Sequence, residues 1–199
     1  MTLIGNINVK VLAGDMTVMP TDAYVVPQFT YAASSGGVGG AVAHAGGVGG
    51  LKQYQEFINQ QGEQPFGKVL LTESGGGNAR YHLHVVSVGS PPQDEFNTVQ
   101  TAMFNALSTA AQNGIQSIIA PAMGTGIIGK LTPEQSAKAM MSAVQAFVSQ
   151  GNSEIQEVTF VIFRDIPAVQ AFAAVLESGS FSTAQKEAGQ AEPSFGKKK

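Results

Sequence analysis

The 199-residue chain contains no cysteine, which excludes disulfides, thiolate zinc sites and a cysteine nucleophile. Its three histidines are too few for a His-rich metal cage. Charge is scarce too: Asp, Glu, Lys and Arg make up 13% of the residues, roughly half the usual share of about 25%. The eleven Lys and Arg are scattered, apart from the last three residues, and the formal charge is −3. No field able to hold nucleic acid by its phosphates is expected. No apolar run reaches the roughly 18 residues that span a bilayer. Met1 to Lys10 reads as a strand rather than as a signal peptide with a basic start. A soluble, cytoplasmic chain without a membrane partner is the expectation, and no internal repeat of about 20 to 50 residues is visible.

What the chain does have is apolar residues, at 43%, enough for a sizeable core in a length of about one domain. Ile7, Val9 and Val11 alternate with polar neighbours, as in a half-buried strand. A second apolar run, Ala23 to Pro27, follows a turn at Met19 to Asp22, and Leu51 to Gln61 favours helix. Lys68 to Glu73 and Tyr81 to Val88 read as strands around the turn Gly75-Gly76-Gly77-Asn78. Phe96, Val99, Met103, Ala106, Leu107 and Ala110 share one face of a helix that stops near Asn113-Gly114. Ala137, Met140, Met141, Val144, Phe147 and Val148 repeat the pattern, with Thr132 as N-cap, Pro133 at the first helical position and Gln135 completing a capping box. Val169, Phe172, Ala173 and Leu176 mark a last helix after Pro167, and the short runs Ser117 to Ala120 and Val158 to Phe163 read as strands. This alternation predicts an α/β domain over residues 1–178, with a mostly parallel sheet covered on both faces. Residues 179–199 lose all apolar periodicity and read as a flexible tail, its terminal lysines a solubilising end.

Glycine is the excess: 24 residues, about 12% against a usual 7% or so. Two clusters follow strands. The first is Ser35-Gly36-Gly37-Val38-Gly39-Gly40, leading into Ala41 to His44. The second is Pro121-Ala122-Met123-Gly124-Thr125-Gly126-Ile127-Ile128-Gly129. Ligands of open α/β sheets sit in such loops, where glycine lets consecutive backbone N–H groups converge on an anion. The pair points to a phosphate-bearing ligand. The second cluster fits a dinucleotide fingerprint by letter, and a P-loop until Leu131 stands where the metal-binding Ser or Thr belongs. Thr132-Pro133 starts the helix too late for either, so an extended cradle is expected; Asp165 is only a weak imitation of a Walker B carboxylate.

Taken together, Ala13 to Thr17, Asp22 to Val26, Gly36 to Val42, Leu83 to Val86, Pro121 to Gly129 and Val161 to Phe163 resemble, in order and spacing, the successive signatures of macrodomains. The resemblance spans roughly residues 5 to 177 and implies a three-layer α/β/α fold, with a mostly parallel mixed sheet, that binds ADP-ribose. It further implies that Asp15 accepts from the adenine amine with Met16 beside it, and that Phe163 packs on the adenine. Gly36, Gly37, Val38 and Gly40 would wrap the diphosphate and distal ribose, together with Met123, Gly124, Thr125, Gly126, Ile127 and Ile128. By their residue types alone, Asp15 also suits a turn cap and Phe163 an ordinary core position. No cofactor or metal is implied; the partners are ADP-ribose or a related nucleotide and proteins that carry it.

The departures concern catalysis. Hydrolytic members carry Asn-Ala-Ala-Asn where this chain has Val26-Pro27-Gln28-Phe29, and an acidic residue where it has Gly39. Phe29 cannot hydrogen-bond and Gly39 has no side chain, so the usual positioning of a water is lost. A reader of ADP-ribose is the leading expectation. A hydrolase with substitute polar groups (Gln28 and His44 are nearest), a nucleotide-phosphate hydrolase and a decayed scaffold stay open. His82 and His84 flank Leu83 on a strand and are expected to pack rather than to bind metal, as are Tyr24 and Tyr31, the latter also a candidate rim contact.

Overall fold

The computed structural model describes residues 2–89, 94–126, 129–151 and 154–181. Among these, strands β1 (Thr2–Ile4), β2 (Ile7–Ala13), β3 (Thr21–Phe29), β4 (Val69–Glu73), β5 (Ala79–Val88), β6 (Ser117–Ala120) and β7 (Glu157–Ile162) form one sheet in the order β1-β2-β7-β6-β3-β5-β4. The five inner strands are parallel and both edge pairs antiparallel. The N-terminal stretch is two strands rather than one, because Gly5, at φ +60°, turns the chain back on itself. The helices are α1 (Gly37–Val42), α2 (Val48–Gln61), α3 (Glu95–Gln112), α4 (Pro133–Val148) and α5 (Ile166–Ser178).

Period-two alternation sorts the inner strands between two helical layers. Ala23, Val25, Leu83 and Val85 face the main core with Met103, Leu107, Met140, Val144 and Phe172 from α3, α4 and α5. Tyr24, Val26 and Val86 face the other way, toward α1 and α2. Each fully buried Leu, Met or Phe contributes about 1.5–3 kcal/mol, which makes the α3–α5 side the main source of stability. The three layers agree with the α/β/α expectation.

Local signals hold the helix ends. Thr132 and Gln135 form the capping box of α4, with Pro133 in its first turn. Asp165 accepts the Ala168 N–H at 3.0 Å and caps α5, a structural role that replaces the metal-ligand reading of this carboxylate. Phe181 corrects the tail boundary: its ring is buried in the main core and its carbonyl accepts from the Ser142 hydroxyl. The chain is therefore packed three residues beyond α5, and residues 182–199 lie outside the described ones.

Gly47, Gly49 and Gly50, around the start of α2, serve packing. A Cβ on Gly49 would lie 3.0 Å from the Cα of Gly75 in the β4–β5 turn, and one on Gly75 would lie 2.9 Å from the Cα of Gly49. The start of α2 and that turn thus touch backbone to backbone. Similarly, a Cβ on Gly47 or Gly50 would come within 2.6 or 2.5 Å of the His82 ring.

β3 and β6 are neighbours, yet the chain leaves β3 toward β5 and leaves β6 toward β7. A crevice must open at the carboxyl ends of the strands where the order reverses. The two glycine clusters follow those two strands.

Candidate functional site

A cavity of about 520 Å³ fills this crevice. Pro27 and Phe29 from β3, Ser87 and Val88 from β5, and Pro121 to Met123 after β6 line it, between the two glycine segments. Glu95, at the start of α3, completes the lining.

The first segment is not a loop running up to Ala41: Gly37 to Gly40 already form the first turn of α1. The first N–H groups of a helix have no intrahelical acceptor, so those of Gly37, Val38 and Gly39 are available to a ligand, whereas the Gly40 N–H donates to the Gly36 carbonyl at 3.1 Å. Gly39 is buried, and a Cβ there would stand 2.2 Å from the Ser34 carbonyl oxygen. No side chain, acidic or otherwise, fits that position with the segment as it stands.

The Ser34 end is anchored from beneath. Gln28, fully buried, accepts the Ser34 N–H through its side-chain oxygen at 2.6 Å. Its amide nitrogen lies 3.0 Å from His84 Nδ1, and His84 Nε2 lies 3.0 Å from the Thr72 hydroxyl. An amide N–H only donates, so Nδ1 accepts and the proton sits on Nε2, facing Thr72. Burial, and then the nearby His82, push the His84 pKa down to about 3; burial alone takes His82 to about 4. Both rings are neutral at ordinary pH. Tyr54 stacks on His84 at 5.2 Å and donates to the Phe29 carbonyl at 2.8 Å, fixing the end of β3. Tyr24 is buried and donates to the Met19 carbonyl at 2.7 Å.

Gln28 therefore faces the interior, not the cavity, and does not serve as a substitute catalytic group. His44 is exposed, outside the cavity lining, with Nδ1 2.7 Å from the Gly40 carbonyl. His82 and His84 are a packed pair, as their spacing predicts.

The second segment is a closed cradle. Leu131 N–H donates to the Gly124 carbonyl at 3.1 Å and Gly129 N–H to the Gly126 carbonyl at 2.9 Å. A Cβ on Gly129 would sit 2.0 Å from the Gly124 oxygen. Thr125 ties its hydroxyl to the Ala122 carbonyl at 3.0 Å, and buried Met123 is held through its carbonyl by Ser136 at 2.6 Å. The helix begins only at Pro133, so neither a P-loop nor a helix-opening dinucleotide turn is built. Ile127 and Ile128 lie outside the described residues.

Asp15, Met16 and Phe163 lie beyond the cavity, at the ends of β2 and β7. Asp15 Oδ1 accepts Thr17 N–H at 2.9 Å and its hydroxyl at 2.7 Å, capping the short turn Met16–Val18. The cap uses one carboxylate oxygen. Met16 is buried under the turn. Phe163 falls just past β7 and is 57% exposed, with the Arg164 guanidinium 4.8 Å from its ring centroid. An ordinary core position is thereby excluded for it. From β2 across β7, β6 and β3 to β5 are four strand spacings, about 19 Å, the span of an extended dinucleotide-sized ligand.

The Macro domain family model matches residues 30–140 of the chain. The chain belongs to the macro domain family. It is 33% identical over 156 residues to the O-acetyl-ADP-ribose deacetylase of Klebsiella pneumoniae, covering 77% of this chain and 88% of the relative. Among solved structures it superposes on the Oceanobacillus iheyensis macrodomain with ADP, with a TM-score of 0.78 at 24% identity over 89% of this chain and 95% of the other. The Trypanosoma brucei macrodomain in complex with ADP-ribose gives a TM-score of 0.73 at 22% identity over 84% and 68%. These likenesses show the fold.

Within this macrodomain, Phe29 stands where the resemblance implies an asparagine. Its ring lies 5.6 Å from that of Tyr31, which is 59% exposed at the rim. Phe29 thus lines the cavity with an aromatic ring that Tyr31 backs from outside the lining, where the resemblance implies an amide. Two residues escaped sequence reading: Glu95, whose only signal is that it opens the helix after β5, and Gln28 in its role as anchor.

Proposed function

We propose that this macrodomain is a cytoplasmic reader of ADP-ribose, free or attached to protein. The observation that carries the reading is the cavity held between two glycine segments at the strand ends, with Asp15 and the exposed Phe163 beyond it at the ends of β2 and β7. Adenine stacks on the exposed Phe163 ring and gives its amine to the free oxygen of Asp15. The diphosphate lies between the N–H groups of the glycine segments, and the distal ribose reaches toward Phe29. The Klebsiella relative's named substrate, O-acetyl-ADP-ribose, supports this ligand class. Hydrolysis by the usual route has no support in a site with Phe29 and Gly39 at the water-positioning places.

Calorimetric titration with ADP-ribose, against ATP and AMP, tests the reading. Asp15→Asn keeps the turn cap but weakens the acceptor, and about a tenfold loss of ADP-ribose affinity is expected. Phe163→Ala removes a stacking face worth about 1–3 kcal/mol, with unchanged thermal stability because the ring is exposed. Absence of ADP-ribose heat in the wild-type protein would sink the proposal.

A further inference from the structure

Glu95 is the sole ionisable side chain among the described residues that line the cavity. A carboxylate in a phosphate-binding crevice needs an explanation. Held against a diphosphate without an intervening cation it repels the ligand, and no Lys or Arg stands among those lining residues. Its place is therefore at an uncharged part of the ligand.

Topology says which part. Asp15 and Phe163 mark the adenine end at β2 and β7, and α3 follows β5, the parallel strand farthest from that end. Glu95 opens α3, with Asp94 capping the helix, so its backbone is fixed. Its Oε2 accepts the Lys130 N–H at 2.8 Å, which also fixes the side chain and ties the second glycine segment to α3. Oε1 has no hydrogen-bond partner among the described residues.

Resting on the ADP-ribose reading, we infer that Glu95 is the carboxylate that recognises the distal ribose. Its Oε1 and the spare lone pair of Oε2 accept the two vicinal hydroxyls of that sugar, a pairing matched by a planar two-oxygen acceptor. Gly39 offers the sugar no carboxylate from the first segment, so recognition of both hydroxyls by a charged acceptor comes from Glu95. Glu95 is thus a specificity-determining group for ligands that continue past the diphosphate.

The test compares ADP-ribose with ADP, which lacks the distal ribose. Glu95→Gln keeps an oxygen for the Lys130 N–H and so preserves the cradle. Its expected effect is a loss of about tenfold in ADP-ribose affinity with ADP affinity unchanged. An equal loss for both ligands would make Glu95 a brace of the second segment and overturn the inference. Unchanged affinity for both would overturn it as well. In either case ADP-ribose binding by the wild-type protein leaves the functional reading standing. If the wild-type protein binds neither nucleotide, that reading fails first and this inference with it. A thermal midpoint within the error of wild type confirms that the variant is folded.

Discussion

Gly39→Asp is expected to lower ADP-ribose affinity about 30-fold, and not to install hydrolysis. The substitution supplies the acidic group that the resemblance implies for hydrolytic relatives, so a naive expectation is a gain of turnover. The geometry opposes it. The new Cβ would lie 2.2 Å from the Ser34 oxygen. Ser34 cannot retreat, because Gln28 holds its N–H at 2.6 Å and His84 in turn holds Gln28 at 3.0 Å. The start of α1 must move instead, and with it the N–H groups that face the ligand. Overpacking of this kind costs about 1–3 kcal/mol, and 2 kcal/mol is roughly a 30-fold change in affinity. Calorimetry with ADP-ribose reads the loss, and release of free ADP-ribose from a modified protein reads any turnover. Wild-type affinity in the variant would show that the segment yields and that Ser34 does retreat.

Acid is expected to destabilise the protein well before most carboxylates titrate. His82 and His84 have folded-state pKa values of about 4 and about 3, against 6.5 for an unperturbed histidine. Both are depressed, so the unfolded chain binds protons that the folded one refuses. Stability is complete above pH 6.5 and falls as pH drops through the window from 6.5 toward 4 and 3. The slope is at most about 1.4 kcal/mol per pH unit for each histidine. From pH 6.5 to 4.5 the loss approaches 5 kcal/mol, comparable to the whole stability of many domains. Urea midpoints measured across this range check it, and His82→Leu should roughly halve the slope. A flat profile in the wild-type protein would mean that the rings charge without unfolding. Because His84 stays neutral in the folded protein until about pH 3, its support of Gln28 and thus of Ser34 persists, and the ligand affinity of the folded fraction should hold across this window.

Secondary structure was legible where its cause is local. The capping box of α4 spans Thr132 to Gln135, and the apolar faces of α3 and α4 repeat every three or four residues. The anchor beneath the first segment was not legible, because Gln28 and His84 are 56 residues apart and meet only when β3 pairs with β5. Gly37 to Gly40 were misjudged for a related reason. Glycine disfavours helix by about 1 kcal/mol per residue, yet the close approach of Ser34 to Gly39 and of Ser35 to Gly40 leaves room for nothing larger at those two positions. Phe163 and Phe181 carry the same residue type and opposite fates, one exposed past β7 and one buried past α5. No pattern around either phenylalanine separates them.

The contact between Gly49 and Gly75 bears on how the protein can be handled. Gly75 to Gly77 form an exposed turn at the edge opposite the cavity, which looks like a natural place for an epitope or a fluorescent fusion. It is a poor one. Spreading that turn would lift the start of α2, whose glycines lie on His82. Asn113-Gly114 is the better insertion point: the turn is exposed, and with Gly114 itself kept at its φ of +67° the nearest atom beyond its chain neighbours is the end of the Glu154 side chain, 3.9 Å from where a Cβ would stand.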